Sequence, residues 1–136
     1  MKEYVLDANA LIRFFRREQG FLQVRGLIQR AKEGRAHLTI SAANLGETLY
    51  VLARYFGAEQ ARKCILEARK AVTVSSIDEE EAIGAALLRL RYKLGFADCF
   101  AAELAMRMAA TLVTADPEFA KLGKQLKVLT LPRHAQ

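Results

Sequence analysis

The chain has 136 residues, close to one ordinary domain of roughly 150, and a chain this long buries about two-thirds of its unfolded surface. Hydrophobic residues at 52%, charged residues at 26%, Gly 8 and Pro 2 exclude a disordered or collagen-like chain, and no apolar run approaches the roughly 18 residues of a membrane span. Lys+Arg 21 against Asp+Glu 15 leaves a net charge of +6, which favours a polyanionic partner, nucleic acid first.

Short apolar runs alternate with longer helical patterns, the signature of a parallel sheet with crossover helices. Glu3–Leu6 is the first predicted strand. A helix over Ala10–Arg17 and a second over Leu22–Glu33 follow, broken near Gly20 and ended by Gly34. Ala36–Ile40 is the second strand. Ser41 is a good N-cap for a helix that runs to Phe56 and stops at Gly57. Its Leu45, Leu49, Leu52 and Phe56 form one apolar stripe. Ala58–Ala71 is helical, and Val72–Ile77 is the third strand. Asp78 and Glu81 resemble a capping box, opening a helix that runs to Leu94 and ends at Gly95. Asp98 opens Cys99–Ala109, Thr111–Thr114 is the fourth strand, Asp116-Pro117 opens a short turn, and Lys127–Leu131 is the fifth strand. With no repeat or linker, residues 1–136 read as one domain. The predicted fold is an α/β three-layer α/β/α sandwich with a central parallel five-stranded sheet.

In open α/β sheets, sites form outside the carboxyl ends of the strands. Asp7 ends the first strand, with Asn9 two residues on. Asp116 follows the fourth, with Thr114 two residues before it. Asp98 opens the helix leading into that strand, and Glu47 lies in the second turn of the helix after the second strand. These acids can meet only if the first and fourth strands are neighbours. Taken singly, Asp7 and Asp116 read first as helix caps and Glu47 as a solvated surface residue. Asp98 shares a face with Ala101, Ala102 and Ala105 and reads as a cap or as a carboxylate aimed into a cleft. Taken together they suit Mg²⁺ or Mn²⁺, hard cations that prefer oxygen ligands. A basic surface with an acidic metal pocket is the physical profile of a nuclease.

Four stretches carry a family resemblance. Tyr4-Val5-Leu6-Asp7-Ala8-Asn9, Asn44-Leu45-Gly46-Glu47, Phe96–Ala105 around Asp98, and Leu112–Phe119 around Asp116 resemble the four acidic motifs of the PIN domain. The stand-alone length is similar to the VapC-type toxins of prokaryotic toxin–antitoxin pairs. The resemblance implies a PIN-like parallel sheet, Mg²⁺- or Mn²⁺-dependent ribonuclease activity, a homodimer and an antitoxin partner. It implies an acidic site of Asp7, Glu47, Asp98 and Asp116, with Asp7, Asp98 and Asp116 as metal ligands. Asn9, where the family often has Ser, Thr or Asn, would orient water there, with Thr114 in support. Ala115 stands where many members carry another residue.

Arg13, Arg16 and Arg17 lie at i, i+3 and i+4 on the helix after Asp7 and would rim the site as RNA contacts. An ordinary solvated helix face is the equal alternative. Lys121, Lys124, Lys127 and Arg133 read as a basic tail, and Tyr50 and Tyr92 as half-buried packing. Cys64 and Cys99 read as small buried hydrophobes; two cysteines exclude a disulfide scaffold and a Cys-based zinc site. Residues 1–7 have no long apolar segment, so no signal peptide is expected and the cytoplasm is the expected compartment. His37 and His134 have no catalytic partner at a recognisable spacing. The competing readings are a PIN-like domain that binds RNA or protein without cutting, and an aspartyl phosphatase. The phosphatase ranks low because Asn9 stands where a second Asp is wanted.

Overall fold

The computed structural model of the chain describes residues 1–133; His134 lies outside them. Five strands form one sheet in the order β3-β2-β1-β4-β5, all pairs parallel. The strands are β1 (Lys2–Leu6), β2 (Ala36–Ser41), β3 (Val72–Ser75), β4 (Thr111–Thr114) and β5 (Lys127–Thr130). The helices are α1 (Ala8–Arg16), α2 (Phe21–Lys32), α3 (Ala42–Phe56), α4 (Ala58–Ala68), α5 (Glu79–Tyr92) and α6 (Phe96–Met108), with a 3₁₀ segment over Pro117–Gln125. This is the three-layer sandwich expected, and β1 and β4 are neighbours. Leu6 pairs with Val113 and with Ile40, so the chain leaves β1, β2 and β4 at one level.

One face of the sheet, with Tyr4, Leu6, Leu38, Ile40 and Val113, is covered by Leu11 of α1 and by Val24, Leu27 and Ile28 of α2. The other face, with Val5 and Leu112, meets Cys99, Ala101, Ala102, Leu104 and Ala105 of α6, backed by Ala85 of α5 and by Phe119 and Leu122. The alanines let α6 lie close on the central strands, and Cys99 is part of this core. Cys64 is buried with Leu52 and Ala61 between α3 and α4. Both cysteines are free thiols, pushed up in pKa chiefly by burial.

Several boundaries differ from the sequence pattern, each for a local reason. β3 stops at Ser75 rather than Ile77 because Ser75 pairs with Ser41, the last residue of β2. α1 begins at Ala8 because the Asp7 carboxylate accepts from Ala10 N–H and caps it. α5 ends at Tyr92, where Lys93 turns left-handed with φ 59°. α6 begins at Phe96 with Gly95 as its N-cap, so Asp98 lies inside the first turn and caps nothing. The leucine stripe of α3 is also displaced. Its fully buried positions are Asn44, Thr48 and Leu52, while Leu45 and Leu49 are half-buried and Phe56 is 41% exposed. Tyr92 is half-buried as expected, but Tyr50 is exposed. No helix is long and apolar enough to cross a membrane among the described residues.

Candidate active site

At the carboxyl end of the sheet lies an open cavity of about 400 Å³. Asp7, Asn9, Arg13, Glu47, Asp98, Asp116 and Arg133 line it, with Ala8, Ala115 and Pro117. Four carboxylates from four chain segments therefore reach one space. Asp7 is carried there by the end of β1 and Asp116 by the end of β4. Asp98 comes from the first turn of α6 and Glu47 from the second turn of α3.

Asp7 is buried, and both of its oxygens are engaged. Oδ1 accepts from the Ala10 backbone N–H at 2.8 Å, and Oδ2 accepts a short hydrogen bond from the Thr114 hydroxyl. Thr114 Oγ1 in turn accepts from the Asp116 N–H at 3.0 Å. A three-residue relay thus links the ends of β1 and β4. Asp116 Oδ1 accepts from the Glu118 N–H at 2.9 Å, capping the 3₁₀ segment ahead of Pro117. The cap readings of Asp7 and Asp116 are therefore correct, and both residues also line the cavity.

Burial is the largest influence on Asp7 and raises its pKa to about 7. The Thr114 and Ala10 hydrogen bonds oppose the rise, and the Asp98 and Asp116 charges add to it. Asp98 is raised to about 6, first by burial and then by the charges of Asp116, Glu47 and Glu118. Gly95 makes room for Asp98: a Cβ at Gly95 would lie 3.2 Å from Asp98 Oδ2. Its place in the first turn of α6 also sets the carboxylate in the favourable field of a helix N-terminus. The carboxylates repel one another across the cavity. Among the described residues, no three Asp, Glu, His or Cys side chains are grouped closely enough to hold a metal ion by themselves.

A sequence model of the family described as PIN domain matches residues 4–125. The chain belongs to the PIN domain family. Among solved structures, its fold is similar to that of VapBC2 from Rickettsia felis bound to a DNA fragment from its promoter, with 20% identity, 96% of this chain and 99% of that chain covered, and a TM-score of 0.74. It is similar to DNA-bound VapBC from Salmonella typhimurium at 18% identity, covering 96% and 98%, with a TM-score of 0.73. It is also similar to Mycobacterium tuberculosis VapC20, described as a sarcin–ricin-loop-cleaving toxin, at 16% identity, covering 95% and 99%, with a TM-score of 0.72. No curated protein matches it in sequence.

The three arginines of this PIN domain do not form one free face. Arg13 lines the cavity and is held by protein acceptors. Arg16 pairs with Glu18 at 2.9 Å and stacks on Tyr55 at 3.5 Å from the ring centroid. Arg17, exposed, is the left-handed C-cap of α1 with φ 54°. In the basic tail, Lys121 pairs with Glu118, whereas Arg133 reaches the cavity. His37 bonds Glu3 at 2.6 Å and Thr73 at 3.2 Å across the sheet, away from the cavity lining. Sequence reasoning missed Asn44. Fully buried, it donates from Nδ2 to the Ala97 carbonyl at 3.0 Å and ties α3 to the first turn of α6. Its position three residues before Glu47, on the same helix face as Thr48 and Leu52, was the available signal.

Proposed function

We propose that this PIN domain, residues 1–136, is a metal-dependent endoribonuclease and the VapC-type toxin of a toxin–antitoxin pair acting in the cytoplasm. The observation that carries the reading is the convergence of Asp7, Glu47, Asp98 and Asp116 on one cavity in a net-basic chain. Similarity to VapC20, a toxin described as cleaving the sarcin–ricin loop, supports RNA as the substrate. Similarity to VapBC complexes supports an antitoxin partner.

The donor set fits Mg²⁺ or Mn²⁺. It is all oxygen, and the cavity is open enough for the waters that Mg²⁺ keeps while binding only one or two carboxylates. Asp7, Asp98 and Asp116 would hold the ion, one or two of them directly and the rest through its waters. When bound, such an ion supplies Lewis-acid stabilisation of phosphoryl charge and a lowered pKa for water. Glu47, exposed on the cavity rim, orients the attacking water and accepts its proton. Thr114 keeps the Asp7 carboxylate in place through its hydroxyl. Water adds to phosphorus in line, the bond from phosphorus to the 3′-oxygen breaks, and that oxygen takes up a proton. The products are a 5′-phosphate and a 3′-hydroxyl.

The test is cleavage of purified RNA with Mn²⁺, with Mg²⁺ and with EDTA, by wild type and by Asp98→Asn. Cleavage that needs the cation and vanishes in Asp98→Asn, with an unchanged circular-dichroism spectrum, is the expected result. RNA bound but left intact under every condition supports the non-catalytic binding domain instead. The exposed row Ile83, Leu87 and Leu90 on α5, with exposed Phe96 nearby in the chain, supports a homodimer.

A further inference from the structure

Arg13 makes three hydrogen bonds to three parts of the chain. Nε donates to Asn9 Oδ1 at 3.0 Å, and Nη1 donates to the Gln19 carbonyl at 2.8 Å and to the Pro132 carbonyl at 3.3 Å. These acceptors belong to α1, to the turn before α2 and to the segment after β5. The turn and that last segment are also in direct contact. A Cβ at Gly20 would lie 3.0 Å from Leu131 Cβ and 3.5 Å from the Pro132 oxygen. A guanidinium serves several fixed directions from one rigid plane, whereas an ammonium is a single point donor.

The bond to Asn9 has a chemical consequence. Asn9 lines the cavity, and its carbonyl oxygen is taken by Arg13, so the amide is fixed in orientation and the group left over is the Nδ2 donor. Such a donor suits a phosphate oxygen or the attacking water. An arginine committed to three protein acceptors is poorly placed to serve as a free backbone-phosphate contact.

We infer that Arg13 is a positioning residue: it fixes the Asn9 amide as a hydrogen-bond donor at the acidic cavity and straps the segment after β5 onto α1. The activity half of this inference rests on the ribonuclease reading; the structural half does not. For a donor felt only in the reacting state, loss of Arg13 lowers kcat. For a phosphate contact, loss of Arg13 raises KM, and lysine restores it.

The experiment compares wild type, Arg13→Lys, Asn9→Ala and the double variant of the full chain. kcat and KM are measured on a short RNA with Mn²⁺, and the Asn9 side-chain amide is followed by ¹⁵N relaxation in metal-free protein. Arg13→Lys should lower kcat tenfold or more with KM changed less than twofold. The double variant should be no slower than Asn9→Ala alone. The Asn9 amide should be rigid in wild type, with an order parameter near about 0.8, and fall below about 0.6 in Arg13→Lys. Wild-type kcat in Arg13→Lys, a rise in KM alone, or additive losses would overturn the inference. So would a mobile Asn9 amide in wild type, a measurement that needs no variant. If wild type cuts no RNA, the ribonuclease reading fails while the amide still decides the clamp.

Discussion

The Asp7 carboxyl couples the candidate site to stability. Its native pKa, about 7, lies above the ordinary value of 3.8. At pH below 3.8 the folded and unfolded forms are both protonated and no penalty exists. Between the two values the native protein keeps a proton that the unfolded chain has released, so stability falls as pH rises; above about 7 the full penalty stands. Melting temperature in EDTA should therefore drop between pH 5 and pH 8, and Asp7→Asn should flatten that part of the profile. An unchanged profile in Asp7→Asn would show that other groups set it. A divalent cation that binds only the folded form should raise the wild-type melting temperature most at the upper end of this range.

The elements show why some of this site was legible in the sequence and some was not. Asp7, Ser41, Asp78 and Asp116 each follow a strand or turn and precede a helical pattern, and each caps as that local chemistry dictates. Five short runs rich in Val, Leu, Ile and Thr mark all five strands, most plainly the central β1, β2 and β4, because a buried parallel strand is nearly continuous in apolar residues. The burial of Asn44 and Thr48 is only faintly legible, in their shared face with Leu52: polar residues on a helix read as its wet side, and burial is decided by contacts as distant as Ala97. The same limit hid the bonding of Arg13, whose acceptor at Pro132 lies 119 residues away. At Asp98 the helix start was misplaced because Gly95, read as a stop for α5, also serves as the start of α6. Gly95 supports a prediction of its own. Its φ of −57° suits alanine, so Gly95→Ala should alter stability by no more than about 1 kcal/mol. The added Cβ, 3.2 Å from Asp98 Oδ2, should push the carboxylate aside by a few tenths of an ångström and slow RNA cleavage about tenfold. Thermal melts and initial rates on the same preparation check both halves.

For the whole molecule, the outer face of α5 is the testable surface. Leu87 is 61% exposed and Leu90 79%. Leu87→Glu should change monomer stability by within about 0.5 kcal/mol and shift sedimentation from dimer to monomer. A dimer that persists unchanged would place the contact elsewhere. The strand order carries a consequence for how the protein is made. The hydroxyl that steadies Asp7 lies 107 residues further along the chain, and β1 must wait for β4 before its second edge is paired. Such distant pairings are the slow part of folding. During synthesis, the first carboxylate emerges from the ribosome early, while the partners that complete the cavity come from near the finish. The cavity of a protein proposed to cut RNA is therefore complete only when almost all of its chain has been made.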